Sequence, residues 1–114
     1  MRFKLMPGGT VTGEARVPGD KSISHRAIML GALADGITEI AGFLEGDDAL
    51  ATVSAFRAMG VRIDGPVDGE VTVHGVGLRG LAAPPQALDL GNSGTSIRLM
   101  SGLLAGQAFA AQLT

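Results

Sequence analysis

The residues best suited to chemistry lie in one short run, PGDKSISHR, at positions 18–26. Its proline and glycine break a preceding strand, and Asp20 is a good N-cap for a helix that begins at Lys21. On this helix the Lys21 and Arg26 cations and the Ser22 hydroxyl fall within one sector of about 140°. Unpaired N–H groups and the helix dipole favour anions at the same end. The run therefore predicts a receptor for a small, multiply anionic molecule.

The opposite face of this helix is apolar, and we expect it to pack against the core; it consists of Ile23, Ala27, Leu30 and Ala34. His25 falls in the cationic sector. A simpler alternative is a solvated, charged first turn. However, cations at a helix N-terminus work against the dipole, which normally selects Asp or Glu. An anionic ligand between Lys21 and Arg26 accounts for the pattern better than solvation does.

A second run, LGNSGTSIR at positions 90–98, has the same layout. A short apolar strand over 88–90 leads into a glycine-rich turn, and a helix follows. Gly91 and Gly94 let an oxyanion approach the backbone closely, and Arg98 lies one turn into the helix. Three side chains of the turn can cap the helix or donate hydrogen bonds: Asn92, Ser93 and Thr95. The alternative interpretation, an ordinary strand-to-helix turn that needs glycine only for its backbone geometry, is equally compatible with this run.

The elements that must position these two runs follow from hydrophobic periodicity and glycine stops. Helices are predicted over 21–34, from 47 to a stop at 60, and over 95–105; short strands are predicted over 37–40, 61–64, 71–74, 88–90 and 108–113. The strands over 61–64 and 71–74 form a hairpin. Residues 7–14 form a glycine-rich loop or edge strand that leads to 15–17. Helices packed on sheets give an α/β (α+β) fold.

The second predicted helix has one apolar stripe, made of Ala49, Val53, Phe56 and Met59. It begins at two adjacent carboxylates, Asp47 and Asp48. Adjacent residues on a helix do not face each other. We therefore interpret both carboxylates as helix caps and not as an acid–base pair.

Composition limits the classes of protein to which the chain can belong. It has 114 residues, 46% of them hydrophobic, no cysteine and a net charge of −2. This length gives one modest domain without disulfides, and the charge gives no general attraction to nucleic acid or anionic lipid. There is no run of about 18 apolar residues and no signal peptide, so we expect no membrane partner and a cytoplasmic location. The two histidines lack a third ligand at suitable spacing, so no metal is expected.

Both runs, in this order and separation, resemble the amino-terminal part of the 5-enolpyruvylshikimate-3-phosphate (EPSP) synthase family. The intervening segments LEGDD at 44–48 and MGV at 59–61 fit the same resemblance. It implies an enolpyruvyl-transferase fold, an inside-out barrel of repeated βαβαββ units in two domains, of which this chain is an incomplete part. Residues 1–19 would be the first strand or strands of the domain shared by both termini, up to a hinge near Gly19. Residues 20–114 would be an incomplete substrate-binding domain.

The resemblance also implies an activity: transfer of the enolpyruvyl group of phosphoenolpyruvate to the 5-hydroxyl of shikimate 3-phosphate, with release of phosphate and no cofactor. By matching motif, Lys21 would be catalytic and contact both substrates, Ser22 and Arg26 would hold shikimate 3-phosphate, and Asn92 and Gly94 would line the phosphoenolpyruvate site. Arg98 would brace the second turn. The complete enzyme is expected to be a monomer. The family's acid and base groups lie downstream of this chain, so we expect no turnover from it alone.

Two features of the second run bear on this resemblance. Glycine at position 94 implies sensitivity to glyphosate, which occupies the phosphoenolpyruvate site in the family. The run also departs from a common family pattern, because Leu99 stands where many members have proline and Ser96 stands where alanine or glycine is frequent.

Two other readings remain open. One is the sister enolpyruvyl transferase that acts on UDP-N-acetylglucosamine. That family presents GAKN where this chain has GDKS, and it lacks the pair formed by Ser22 and Arg26. The other is a non-catalytic fragment that folds, or associates with itself through an unfinished sheet edge, without binding either substrate.

Overall fold

Three helices and one three-stranded sheet form the regular structure of the chain. The computed structural model describes residues 1–114. In chain order the elements are α1 (Lys21–Leu33), β1 (Asp35–Ile40), α2 (Asp47–Ala58), β2 (Arg62–Val67), β3 (Glu70–Val76) and α3 (Gly94–Ala105). Each predicted helix is present with ends within two residues of the expectation. The mixed helix and strand content confirms the α/β class.

The sheet is antiparallel, with strand order β1-β3-β2. The β2–β3 hairpin confirms the prediction and turns at Asp68 and Gly69. Both residues have positive φ, 51° and 77°. A two-residue turn of this kind requires residues that tolerate the left-handed region, and Asp-Gly is a favoured pair. The sequence α1, β1, α2, β2, β3 is the βαβαββ unit without its first strand.

The expected first strand over 15–17 is not formed. Residues 1–20 contain no helix or strand. All of them are exposed to solvent except Gly19, which is half-buried. A strand satisfies its backbone groups by pairing with a neighbour. No element of this chain pairs with 15–17, so the strand is not formed here, and the assignment of 1–19 to a domain completed by the rest of the enzyme stays a prediction.

The strands expected on either side of α3 are reduced to one bridge. Leu88 and Leu113 pair in parallel. The Leu88 N–H donates to the Gln112 carbonyl at 2.8 Å, and the Thr114 N–H donates to the Leu88 carbonyl at 3.0 Å. The prediction of two full strands was therefore wrong, and their pairing with each other was not predicted; a lone two-stranded parallel ladder gains little stability.

The core lies between the helices and one face of the sheet. On α2 the predicted stripe is confirmed, since its four members are at most 1% exposed: Ala49, Val53, Phe56 and Met59. On α1 the prediction is wrong. Ile23 and Leu30 are each 68% exposed, and the buried face is formed by Ser24, His25, Ile28, Met29 and Ala32. Positions spaced by three and four residues still form one stripe, but it includes two polar side chains that find partners inside.

The exposed Leu30 lines an open groove of about 640 Å³ between α1 and α3, with Leu99 and Leu103 among the other lining residues. No helix of the structure is both long enough and apolar enough to cross a membrane.

Candidate anion-binding site

The first turn of α1 is fixed by its cap. Asp20 accepts a hydrogen bond from the Ile23 N–H through Oδ1 at 2.7 Å, which confirms the predicted cap. The Ser24 hydroxyl donates to the Asp20 carbonyl at 2.8 Å and accepts from the Leu44 N–H at 3.0 Å. These bonds tie the helix start to the loop after β1. Lys21, the first helical residue, projects from this rigid turn with its side chain half exposed.

Lys21 forms an ion pair with Asp48, the second residue of α2. The expected caps at Asp47 and Asp48 are wrong, because Gly46 is the N-cap of α2 and no side chain makes a capping bond there. Both carboxylates still lie in the first turn, where the helix dipole favours negative charge. The Asp48 carboxylate is turned towards α1, and a cavity of about 290 Å³ opens beside the pair.

The second run builds a helix start of the same kind. Gly91 has φ of 62°, a conformation that favours glycine. Its N–H donates to the Asp89 carboxylate at 2.9 Å. Ser93 is the N-cap of α3, and its Oγ accepts from the Ser96 N–H at 3.1 Å. Two residues predicted to line a ligand site, Asn92 and Gly94, are exposed around this cap.

The two helix starts meet at Asp48. A Cβ placed on Gly91 would lie 3.6 Å from Asp48 Oδ1. The carboxylate that pairs with Lys21 therefore lies beside Gly91 of the second turn, separated from it by about the space of one methyl group. The structure thus brings Lys21 and Gly91, the first residue of the second turn, next to the same carboxylate, although no hydrogen bond joins Lys21 to Asn92 or Gly94.

Beneath this surface, the three helices share a buried polar cluster. His25 Nδ1 lies 2.8 Å from Thr52 Oγ1 and 3.0 Å from Ser96 Oγ. The two hydroxyl oxygens are 2.8 Å apart. All three side chains are 0% exposed. The cluster joins α1, α2 and α3 within one or two turns of their N-termini.

His25 is held neutral by its surroundings. Burial lowers its pKa below the ordinary value, and the nearby Lys21 charge lowers it further, with a smaller effect from Arg26; the Asp48 carboxylate opposes them. Desolvation disfavours the charged form of a buried imidazole. Because His25 is neutral, the positive charge of the site is carried by Lys21 and by the arginines of the two runs, Arg26 and Arg98.

The two arginines of the runs fold back on their own helices. Arg26 Nη1 donates to the Ser22 carbonyl at 3.1 Å, and Arg98 Nη1 donates to the Gly94 carbonyl at 2.8 Å. The second bond agrees with the expected bracing of the turn by Arg98. Both guanidinium groups are exposed and make no ion pair. Their charges remain free to meet an anion.

The sequence reasoning missed Asp48 as the partner of Lys21, and it missed the cluster of His25, Thr52 and Ser96. The members of each group are far apart in sequence, since the partners of the ion pair are separated by 27 positions and His25 and Ser96 by 71. One signal was present, because Thr52 lies one turn after Asp48 on the polar edge of α2. No group of three or more His, Cys, Asp or Glu side chains is arranged to hold a metal.

Comparison with known proteins adds a family to this geometry. Residues 5–114 match the family model of EPSP synthase (3-phosphoshikimate 1-carboxyvinyltransferase). A 3-phosphoshikimate 1-carboxyvinyltransferase of Alkalilimnicola ehrlichii is 70% identical over 114 residues, covering 100% of this chain and 26% of that protein. The one from Hydrogenovibrio crunogenus is 64% identical over 113 residues, covering 99% of this chain and 25% of that protein.

A solved structure agrees. The EPSP synthase from Acinetobacter baumannii superimposes with a TM-score of 0.85 at 63% identity, over 90% of this chain and 23% of that chain. The chain therefore spans about a quarter of the length of the curated relatives it matches. The relatives named here are not UDP-N-acetylglucosamine transferases, so that reading gains no support. Since the family model matches all but the first four residues, the chain belongs to the EPSP synthase family.

Proposed function

We propose that this chain supplies the amino-terminal quarter of an enzyme that transfers the enolpyruvyl group of phosphoenolpyruvate to the 5-hydroxyl of shikimate 3-phosphate and releases phosphate. The observation that carries the proposal is the meeting of two anion-facing helix starts at Asp48, in a chain of this family. The remaining three quarters of the relatives' length would supply the acid and base groups. The chain alone is expected to show no turnover.

In this proposal the first run holds shikimate 3-phosphate. Lys21 contacts both substrates as a half-exposed ammonium group at the start of α1. Ser22 and Arg26 hold shikimate 3-phosphate, and the planar guanidinium group suits its carboxylate. To do so, Arg26 exchanges its bond to the Ser22 carbonyl for bonds to the ligand.

The second run lines the phosphoenolpyruvate site. Asn92 and the backbone of Gly94 stand at the start of α3, where N–H groups without helical partners attract an oxyanion. Gly94 has no side chain to occupy that space. The Asp48 carboxylate beside Lys21 balances the site's charge until a substrate enters.

The chemistry that follows is an addition and an elimination. Protonation of the enol methylene makes C2 of phosphoenolpyruvate cationic, the 5-hydroxyl adds to C2, and phosphate then leaves. Both substrates are polyanions, so the contribution of these residues is to offset charge and to hold the two molecules in reacting geometry. No cofactor takes part, and the complete enzyme acts as a monomer in the cytoplasm.

The division into domains is also part of the proposal. Residues 1–19 belong to a domain completed by the rest of the enzyme, and 20–114 belong to the substrate-binding domain. Two observations support a boundary at Gly19: the first 20 residues carry no regular structure, and α1 begins at Lys21. Closure about this point would complete the second substrate site.

Binding is tested on the chain itself by titration with shikimate 3-phosphate, followed through amide NMR. We expect shifts centred on Lys21, Ser22 and Arg26. A dispersed spectrum without shifts would restrict binding to the longer enzyme. Light scattering on the same sample tests the non-catalytic alternative, because a self-associating module would grow in size with concentration.

Activity is tested on a fusion in which residues 1–114 replace the matched segment of the Acinetobacter baumannii EPSP synthase, termed the hybrid enzyme. We expect phosphate release that depends on both substrates and a loss of at least about 100-fold for Lys21→Met, the scale of one charge-stabilising group. The matched control is Lys4→Met, which removes the chain's other lysine from an exposed position. Equal activity of the two variants would refute the assigned role of Lys21.

A further inference from the structure

In the buried cluster of His25, Thr52 and Ser96, one consistent order of donors and acceptors satisfies every hydroxyl group. Thr52 Oγ1 lies 3.4 Å from the Asp48 carbonyl, one turn earlier on α2, and can donate to it. Ser96 can then donate to Thr52, and His25 can donate from Nδ1 to Ser96. In this order every hydroxyl proton has an acceptor. The chain of bonds runs from His25 through Ser96 and Thr52 to the backbone of Asp48.

The second ring nitrogen of His25 fixes this direction. Nε2 is buried and has no partner. A proton on Nε2 would be an orphaned buried donor, which is rarer and costlier than an unpaired acceptor. The proton of the neutral ring therefore belongs on Nδ1, where it has two oxygen neighbours.

Each member of the cluster lies just behind a residue of the site. His25 follows Lys21 by four residues and Thr52 follows Asp48 by four, while Ser96 donates its N–H to the Ser93 cap of the second turn at 3.1 Å. In a helix, a residue four positions later lies on the same face one turn below. The bonds therefore connect the layer directly under the Lys21–Asp48 pair and the second turn. Apolar side chains of similar size would fill the same space but would fix neither distance nor orientation.

We propose that His25, Thr52 and Ser96 are positioning residues. Their hydrogen bonds fix the placement of the Lys21 ammonium group relative to the turn over 91–94, so that the two anionic substrates can bind to Lys21 and to this turn at the same time. This inference rests on the proposed function. None of the three side chains touches the ligand, since all are fully buried. They act through the three helix starts that they join.

The ligand-free test compares amide hydrogen exchange in Ser96→Ala and Ser101→Ala. Ser101 lies on the same helix, is exposed, and bonds only its own helix at the Ile97 carbonyl. We expect Ser96→Ala to speed exchange at least about fivefold at the hydrogen-bonded amides of both helix starts, Ile23–Ser24 and Gly91, the effect of one lost hydrogen bond. Ser101→Ala should leave both segments unchanged.

Val53→Ala is the control that separates a general loss of stability from loss of the cluster's hydrogen bonds, because it opens the core without removing a polar group. If Ser96→Ala speeds exchange evenly over the whole chain, as Val53→Ala does, the cluster is only structural and the proposal fails. It also fails if neither segment changes. These outcomes do not depend on whether the chain binds substrate.

A second pair of variants tests the hydroxyl itself. Thr52→Val keeps the shape and removes the donor, whereas Thr52→Ser keeps the donor. We expect ¹⁵N NMR of the imidazole to report the Nδ1–H form of His25 in the native chain and in Thr52→Ser, and a mixed or Nε2–H form in Thr52→Val. A native ring with its proton on Nε2 would overturn the directed chain of bonds.

Titration with shikimate 3-phosphate then distinguishes the two levels of inference. Absence of shifts in the native chain counts against binding by the chain, while the exchange test still decides the role of the cluster. If the native chain binds, phosphoenolpyruvate added after shikimate 3-phosphate should shift 91–94 at least about threefold less in Ser96→Ala than in the native chain, while the shikimate 3-phosphate shifts near Lys21 persist. Shifts in Ser96→Ala that equal those of the native chain, both near Lys21 and at 91–94, would contradict the proposal.

Discussion

Lys21 and Asp48 form an ion pair between the first turns of α1 and α2, and this pair borders the glycine turn that precedes α3. The cation proposed to bind substrate is therefore partnered by a carboxylate. Asp48 is 22% exposed and Lys21 is 49% exposed. A pair of this exposure contributes less than about 1 kcal/mol to folding stability.

Replacing Asp48 by Asn should strengthen the binding of shikimate 3-phosphate to the chain. The substitution keeps the shape and the Asp48 carbonyl but removes the negative charge that opposes an incoming anion. With screening, such a charge costs about 1 kcal/mol, which corresponds to about fivefold in affinity. Amide NMR titration at low and high salt measures the effect, which should shrink as salt is raised.

Asp47→Asn is the matched control for this charge. Asp47 lies next to Asp48 in the same first turn but is exposed and makes no ion pair. We expect a smaller change in affinity for Asp47→Asn. If Asp48→Asn weakens binding, the carboxylate orients Lys21 for the ligand and does not compete with it.

Gly94→Ala should separate glyphosate sensitivity from folding. A Cβ at this position would lie 2.7 Å from Arg98 Nη1, so the guanidinium group has to move off the Gly94 carbonyl. The same methyl group projects from the helix start that is proposed to hold phosphoenolpyruvate. We expect the hybrid enzyme to be inhibited by glyphosate, and its Gly94→Ala variant to be inhibited at least about tenfold less, since crowding by a methyl group costs about 1–3 kcal/mol.

Gly102→Ala provides the control on the same helix. Nothing lies within 4 Å of a Cβ at Gly102. Alanine is favoured over glycine in a helix by up to about 1 kcal/mol, so both variants should hold or gain stability in urea unfolding. Equal glyphosate inhibition of the native hybrid and Gly94→Ala would refute the assignment of Gly94.

Local signals in the sequence predicted the parts of the fold that depend on neighbouring residues. The Asp20 cap, the apolar stripe of α2 and the Asp-Gly hairpin turn are fixed by residues within a few positions, and all three are present. The buried face of α1 was predicted wrongly because Ser24 and His25 find their partners at Leu44, Thr52 and Ser96. Periodicity treats such polar residues as exposed.

The candidate site was predicted in its two runs but not in how they join. The motifs located Lys21 and Gly94, whereas two of the joining residues, Asp48 and Thr52, lie on α2, and their partners lie on α1 and α3. The strand before Pro18 was expected from the break at Pro18 and Gly19 and from the family resemblance. A strand needs a pairing partner, and the described chain offers none to that segment.

Acid should destabilise the chain through His25. The pKa of this buried imidazole is lower in the folded chain than its ordinary value of 6.5, so the unfolded chain binds more protons between the two values. Stability therefore rises with pH across that window. The neutral ring makes its full contribution to the free energy of unfolding above about pH 6.5, and this contribution is lost as the pH falls towards the pKa of the folded chain. Lys21 and Arg26 favour this direction, and Asp48 opposes it.

Urea unfolding at a series of pH values between 4 and 8 measures this slope in native chain and in His25→Asn. The variant should lose the part of the slope that lies just below pH 6.5. His74→Gln is the control, because His74 is at the surface and pairs with Asp64. That pairing, with help from Arg62, lowers the pKa of Asp64 and acts only in more acidic solution. An identical slope in His25→Asn and the native chain would exclude His25 as the titrating group.

Gly19→Ala should destabilise the start of α1. A Cβ at Gly19 would overlap the carbonyl oxygen of Gly42, which belongs to the backbone of the loop after β1. Backbone cannot swing aside as a long side chain can, so either the chain entering α1 or the loop must move. We expect a loss of about 1–3 kcal/mol in the free energy of unfolding, in the range of other overpacked sites. The Ile23 amide shift should change as well, because its N–H reports the Asp20 cap.

Gly46→Ala isolates this contact from the general cost of replacing a glycine before a helix. Gly46 is the N-cap of α2, has negative φ, and has nothing within 4 Å of an added Cβ. Its substitution should cost no more than a few tenths of a kcal/mol by loss of a favourable cap residue. If Gly19→Ala unfolds at the same urea concentration as Gly46→Ala, the crossing of the two backbones at Gly42 is not tight. Position 19 would then be free to flex, and the boundary proposed there would lie in a loose linker and not in a packed hinge.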